Sequence, residues 1–231
     1  MRHFGELVFT DESRSLVQLF FGKQNGNAPP TPQDAARPVS AVGILGAGHM
    51  GGGIAEVTAA NDLDVVLKDR SLTLAARGKK QVWTAMNRKM EDDIVNRFTR
   101  DRAAERVVPT DSYEQMDHCD LVIEAVPENR ALKKQVLSDV EDVVPSDAIL
   151  ASNTSSIPIS ELAEAVDDPE RVIGMHYFAP VADIPVVELV VTEQTAAETL
   201  ATAFDLAQTQ EKTVIVVNDG PGFYTTRILA L

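Results

Sequence analysis

A single cysteine, Cys119, among 231 residues rules out an intramolecular disulfide. It also weakens any thiolate metal site. Asp117-His118-Cys119-Asp120 has no second cysteine and no histidine cluster beside it, so Cys119 reads as a small buried residue at the start of a strand. No apolar run approaches the roughly 18 residues that a membrane span needs. The N-terminal Met1-Arg2-His3-Phe4-Gly5-Glu6 lacks the apolar core of an export signal, so the cytoplasm is the expected compartment. Positive charge is in deficit as well. The net charge of -14 excludes nucleic acid as an expected partner, because binding phosphate backbones needs basic stripes.

What is present suits a soluble globular chain: 44% hydrophobic and 24% charged residues can build and solvate a core. The charge is uneven. Between residues 70 and 106 ten Lys/Arg face five Asp/Glu. Such a stretch is either a solvated helix face or a receiver for an anionic ligand such as a CoA phosphate.

Residues 1–38 do not read as a domain. Residues 11–23 have the spacing of a short helix with Leu16, Leu19 and Phe20 on one face, which one helix cannot bury alone. Gln24-Asn25-Gly26-Asn27-Ala28-Pro29-Pro30-Thr31-Pro32 is linker chemistry. From residue 39 to 219 strands and helices alternate. Strands are expected at 39–45, 64–68, 121–125, 149–152, 171–176, 186–191 and 213–217. Helices are expected at 50–61, at 72–98 as one or two, and at 129–144, 160–166 (Ser160 as N-cap) and 196–208. This alternation predicts an α/β fold of the Rossmann type, with a doubly wound, mostly parallel sheet. Residues 220–231 turn at Gly220-Pro221-Gly222 and begin a helix that the sequence does not complete, so a truncated helical domain is expected there.

Gly46-Ala47-Gly48-His49-Met50-Gly51 matches G-x-G-x-x-G between an expected strand and an expected helix, with Asp69 at the end of the next strand. Gly46 permits the tight turn. Gly48 lets the backbone approach a pyrophosphate, and Gly51 lets the helix pack closely. The helix N-terminus offers unpaired N–H groups to phosphate. Asp69 can accept hydrogen bonds from ribose hydroxyls and would repel a 2′-phosphate, which points to NAD. Arg70 beside it weakens that preference slightly. His49 need only fit beside the cofactor.

Beyond this motif the chain resembles the 3-hydroxyacyl-CoA dehydrogenase family, above all the dehydrogenase part of multifunctional fatty acid β-oxidation α-subunits. The likeness is carried by the glycine motif, by Asp120-Leu121-Val122-Ile123-Glu124-Ala125-Val126-Pro127-Glu128-Asn129 and by Ala151-Ser152-Asn153-Thr154-Ser155-Ser156. It continues through Gly174-Met175-His176-Tyr177-Phe178, Val187-Glu188 and Gly220-Pro221-Gly222-Phe223. Residues 5–21 resemble the helix that joins the hydratase and dehydrogenase parts in those α-subunits.

The resemblance implies an NAD-dependent enzyme that oxidises L-3-hydroxyacyl-CoA to 3-oxoacyl-CoA, working with the other domains or subunits of a fatty acid oxidation complex. By position, His176 becomes the base that takes the 3-hydroxyl proton, and Glu188 the carboxylate that orients it. Ser155 binds the substrate oxygen. Glu128 and Lys133 become a cofactor-contacting pair, with Lys133 also near CoA. Two positions depart from the pattern: Ala179 and Thr226 stand where many members have asparagine, although the mitochondrial-type α-subunits resemble this chain at Thr226. The family's helical domain closes the cleft over acyl-CoA. Without it, the expectation is a chain that binds NAD(H) and turns over acetoacetyl-CoA weakly. The competing reading is an NAD-binding module that docks on other subunits.

Overall fold

The computed structural model describes residues 35–229. The expected helix at 11–23 and the proline-rich linker at 24–32 lie outside the described residues. Eight strands form one sheet: β1 (Ala41–Leu45), β2 (Asp64–Lys68), β3 (Val107–Thr110), β4 (Leu121–Glu124), β5 (Ile149–Ser152), β6 (Val172–Tyr177), β7 (Val186–Val191) and β8 (Thr213–Asn218). Their order is β3-β2-β1-β4-β5-β6-β7-β8. Every neighbouring pair is parallel except β6 and β7. The helices are α1 (His49–Ala60), α2 (Leu72–Glu91), α3 (Arg97–Glu105), α4 (Arg130–Glu141), α5 (Ile159–Ala163), α6 (Ala197–Thr209) and α7 (Thr225–Leu229). This is the Rossmann-like α/β architecture that the alternation predicted.

The central strands are apolar on both faces because helices cover both. Alternation along β1 sends Val42 and Ile44 to one face, with Ile54 of α1 and Val82 of α2. Leu45 goes to the other, where Val136, Leu137 and Val140 of α4 cover it. Each fully buried Leu or Ile contributes on the order of 1.5–3 kcal/mol of transfer free energy. These two layers fix the sheet, and the sheet fixes a crevice. Chain order reverses at β1, whose neighbours β2 and β4 lead to opposite faces, so the carboxyl ends of β1 and β4 open a cleft at the switch point.

Two details depart from the sequence reading, and one alternative it left open is settled. β3 was not anticipated. It is a four-residue edge strand containing Pro109, which is tolerated because one side of an edge strand needs no ladder hydrogen bonds. The segment from residue 72 to 98 is two helices. α2 stops at Asp92, Asp93 takes φ +58°, and Asn96 caps α3 by accepting from the Thr99 amide at 2.9 Å. Ser160 does not cap α5, which begins one residue earlier; the Asp219 carboxylate accepts from the Ile159 amide, the Ser160 amide and the Ser160 hydroxyl.

Part of the basic stretch is paired within the fold: Lys89 pairs with Glu56, Arg102 with Asp62, Arg106 with Asp64 and Arg100 with Asp101. Cys119 is fully buried, and burial pushes its thiol up to about 12, so it is an inert core residue. No helix among the described residues is long and apolar enough to cross a membrane.

Candidate active site

The cofactor half of the cleft is built by β1, its turn, α1 and the end of β2. Gly46 has φ +99°, and a Cβ there would lie 2.7 Å from the Ala125 carbonyl oxygen. At Gly51 a Cβ would fall 1.7 Å from the Gly46 carbonyl oxygen, so the turn can only close over glycine. Gly48 differs. A Cβ there meets nothing within 4 Å and would stand in open space at the head of α1. No side chain caps α1, which leaves its first N–H groups to an external acceptor. The Asp69 carboxylate accepts from the Ala47 amide at 2.9 Å and the Arg70 amide at 2.7 Å, which ties the end of β2 to the glycine turn. A cleft of about 700 Å³ runs from Gly48 and Asp69 toward Val126 and Leu132. These residues fit a dinucleotide: an open cradle for its pyrophosphate, and a carboxylate for its ribose.

The second half of the site lies on β6 and β7. Their antiparallel register makes His176 and Glu188 direct partners. The His176 Nδ1 donates to Glu188 Oε2 at 2.7 Å, and Nε2 takes no hydrogen bond among the described residues. The other Glu188 oxygen accepts from the Thr225 amide at 2.8 Å and the Thr225 hydroxyl at 2.7 Å. Burial pushes the Glu188 carboxyl upward, but the hydrogen bonds from His176 and Thr225 outweigh it and hold the group below the ordinary carboxylate value. Glu188 is therefore an ionised, fully buried acceptor at neutral pH. The rings of Phe178 and Phe223 flank the imidazole at 4.6 and 5.8 Å.

Between these halves lies a polar cluster at the ends of β4 and β5. Lys133 of α4 is 1% exposed, and its ammonium donates to both Glu124 oxygens, at 2.8 and 3.0 Å, and to the Val126 carbonyl. The Ser152 hydroxyl donates to Glu124 at 2.6 Å. Glu128, 3.3 Å from the same ammonium, accepts from the Thr154 hydroxyl at 2.5 Å, the Ser156 hydroxyl at 2.9 Å and the Ser155 amide at 3.2 Å. Burial again pushes the Glu128 carboxyl up, and the Thr154 hydroxyl, Lys133 and Ser156 bring it below the usual range. Asn153 accepts from the Tyr177 amide at 2.9 Å and so joins this cluster to the strand that carries His176.

The structure thus brings together the glycine turn with Asp69, His176 with Glu188, and Ser155 with Glu128. Ser155 is exposed, and its hydroxyl takes no hydrogen bond among the described residues. Lys133 is turned inward onto two glutamates, Glu124 and Glu128. Sequence reasoning assigned no role to Thr225, Glu124 or Asn153. Glu124 and Asn153 sat inside quoted motifs; Thr225 follows the Gly220-Pro221-Gly222 turn with no local signal at all.

A switch-point cleft with an uncapped glycine turn, an acid at the end of β2 and an imidazole backed by a buried carboxylate defines an NAD-dependent dehydrogenase of the Rossmann class. Residues 41–220 match the family described as 3-hydroxyacyl-CoA dehydrogenase, NAD binding domain. The chain belongs to this family. It is similar to (S)-3-hydroxybutyryl-CoA dehydrogenase from Ralstonia eutropha, with 37% identity and a TM-score of 0.81 over 83% of this chain and 68% of that one. The Escherichia coli 3-hydroxybutyryl-CoA dehydrogenase is 32% identical, with a TM-score of 0.78 over 80% of this chain and 39% of that one. The dehydrogenase part of Caenorhabditis elegans multifunctional enzyme 1 is 27% identical, with a TM-score of 0.71 over 79% of this chain and 42% of that one.

Proposed function

We propose that the chain serves reversible oxidation of L-3-hydroxyacyl-CoA to 3-oxoacyl-CoA in fatty acid β-oxidation, as the dehydrogenase portion of a multifunctional enzyme. The observation that carries this reading is the 2.7 Å bond from His176 Nδ1 to a buried Glu188. NAD supplies the hydride acceptor when bound. His176 accepts the proton of the 3-hydroxyl at Nε2 as the C3–H bond breaks, and the Glu188 carboxylate balances the imidazolium. Ser155, with a free hydroxyl held beside Glu128, fixes the substrate oxygen in line for transfer. Asp69 and the head of α1 hold the dinucleotide, and Glu128 meets its nicotinamide end. The likeness to the dehydrogenase part of a multifunctional enzyme supports a setting of partner domains.

His176→Gln tests the assignment. NADH oxidation by acetoacetyl-CoA is expected to fall by roughly 10²–10⁴-fold, the range for loss of a general base, while NADH binding followed by fluorescence stays within twofold of the parent chain. Unchanged turnover would defeat it. A parent chain that binds NADH and shows no turnover favours the NAD-binding module instead.

A further inference from the structure

Four cationic side chains are buried among the described residues: Lys68, Lys133, Arg171 and Lys212. Three have conventional acceptors. Lys133 holds Glu124, Arg171 holds Glu141 and the Ala148 carbonyl, and Lys212 holds the carbonyls of Val181 and Ile184. Lys68 forms no hydrogen bond or ion pair among the described residues. It is 9% exposed, and its one close partner is the face of Tyr113, with Nζ 3.8 Å from the ring centroid. An ammonium taken out of water without an acceptor is costly. Such a group persists where a ligand completes it.

The position of Lys68 identifies the ligand. It is the last residue of β2, immediately before Asp69. Val66, two residues earlier, packs on the α4 side of the sheet, so Lys68 faces that side too. There it lines the 700 Å³ cleft with Tyr113, Leu132 and Val136. The phenol of Tyr113 is pushed up to about 12 by burial and by Asp139, so it stays a neutral ring with its hydroxyl committed to Asp139. Asp69, Asp111 and Asp139 act on Lys68 only at longer range. The slot therefore offers apolar walls, one aromatic face and one unspent donor at its edge, next to the ribose-binding acid. A flat heterocycle with in-plane acceptor nitrogens matches that chemistry.

We infer that Lys68 is a cofactor-specificity residue, whose ammonium donates to a ring nitrogen of the adenine of NAD while the base lies in the slot of Tyr113, Leu132 and Val136. This rests on the dinucleotide reading of the cleft.

Lys68→Met removes the donor and keeps the length of the side chain. The NADH dissociation constant, from fluorescence titration, should rise about tenfold, as for loss of one charge-assisted hydrogen bond. Affinity for reduced nicotinamide mononucleotide, which lacks the adenosine half, should not change. AMP as a competitor should lose the same factor, and ribose 5-phosphate none. The ligand-free variant should melt no lower than the parent, since an unpaired buried charge has been removed; Lys68→Leu carries the same binding expectation if the methionine variant does not fold. Equal NADH affinity in the variant and the parent overturns the inference and leaves the dinucleotide site standing. Equal loss for ribose 5-phosphate and AMP also overturns it, because the contact is then to phosphate. A parent chain that fails to bind NADH removes the dinucleotide reading itself.

Discussion

The two halves of the cleft are built in opposite ways. The cofactor half comes from one continuous stretch of chain, from Ala41 to Asp69, in which a strand, a glycine turn, a helix and a second strand each position the next. The proposed catalytic half is assembled from four distant places: Ser155 after β5, His176 on β6, Glu188 on β7 and Thr225 at the start of α7. The first is held by backbone sterics, where the absence of side chains matters most. The second is held by hydrogen bonds to two carboxylates, Glu188 for His176 and Thr225 and Glu128 for Ser155. A local construction tolerates change in distant elements and fails on a single Cβ. A convergent one survives small local changes and loses function in steps as its bonds are removed.

The largest expected effect separates two glycines of the same turn. Gly51→Ala puts a methyl group 1.7 Å from the Gly46 carbonyl oxygen, so the turn itself must open. Destabilisation of about 3–5 kcal/mol is expected, at the severe end for a single substitution and readable by urea unfolding. Gly48→Ala meets no atom of the chain, so folding should stay within about 0.5–1 kcal/mol of the parent. Its NADH affinity should nevertheless fall by roughly tenfold or more, because the methyl group occupies the phosphate cradle. Equal stability of the two alanine variants would erase the distinction between a glycine that shapes the turn and one that makes room for a ligand.

The same contrast governs what could be read before folding. Gly46, Gly48, Gly51 and Asp69 were legible because their constraint is written in consecutive residues and follows from the φ/ψ limits of L-amino acids. The strands of the parallel core were legible as short apolar runs, but β3 was not, because only Val107 and Thr110 are buried and Pro109 interrupts the pattern. His176 and Glu188 could be singled out only through resemblance. Twelve positions separate them, and their contact depends on an antiparallel register that periodicity does not specify. Thr225 had no signal in sequence because it enters the site by tertiary placement alone. Lys133 was expected to face ligand and is instead turned toward Glu124, since a helix face that reads as charged can still point inward when a buried acid waits for it.

Thr225 gives a medium-sized effect and tests the convergent half. Thr225→Val keeps the shape and the amide bond to Glu188 but deletes the 2.7 Å hydroxyl bond. Loss of one hydrogen bond to a buried carboxylate should cost on the order of 1–3 kcal/mol of stability. Turnover should fall about tenfold as Glu188 loosens beneath His176, with KM for NADH unchanged. Thr225→Ser restores the donor and should restore most of the rate. Rescue by serine separates a positioning role from simple packing, since serine lacks the methyl group and keeps only the hydroxyl. If the valine variant keeps full rate, the amide alone suffices to hold Glu188.

Acid should erode the hydrogen bonds of the catalytic half. Glu188 and Glu128 both have carboxyl groups held below the ordinary value of 4.5 in the folded chain, against burial, by their hydrogen-bond donors. A depressed folded value means that the unfolded state binds more protons between that value and 4.5. The stabilisation is therefore complete above about pH 4.5 and is lost as pH falls through the folded values. Glu128 is 42% exposed and solvent-screened, so its share is the smaller. Melting temperature should be flat from pH 7 to pH 5 as far as these two groups act, then drop as each takes up a proton. Glu128→Gln should flatten that drop slightly and Glu188→Gln more. An acid limb that is identical in the parent and in both variants would mean that neither carboxylate contributes to stability through its ionised form, and the bonds drawn to Glu188 would then have to be maintained by a neutral acid.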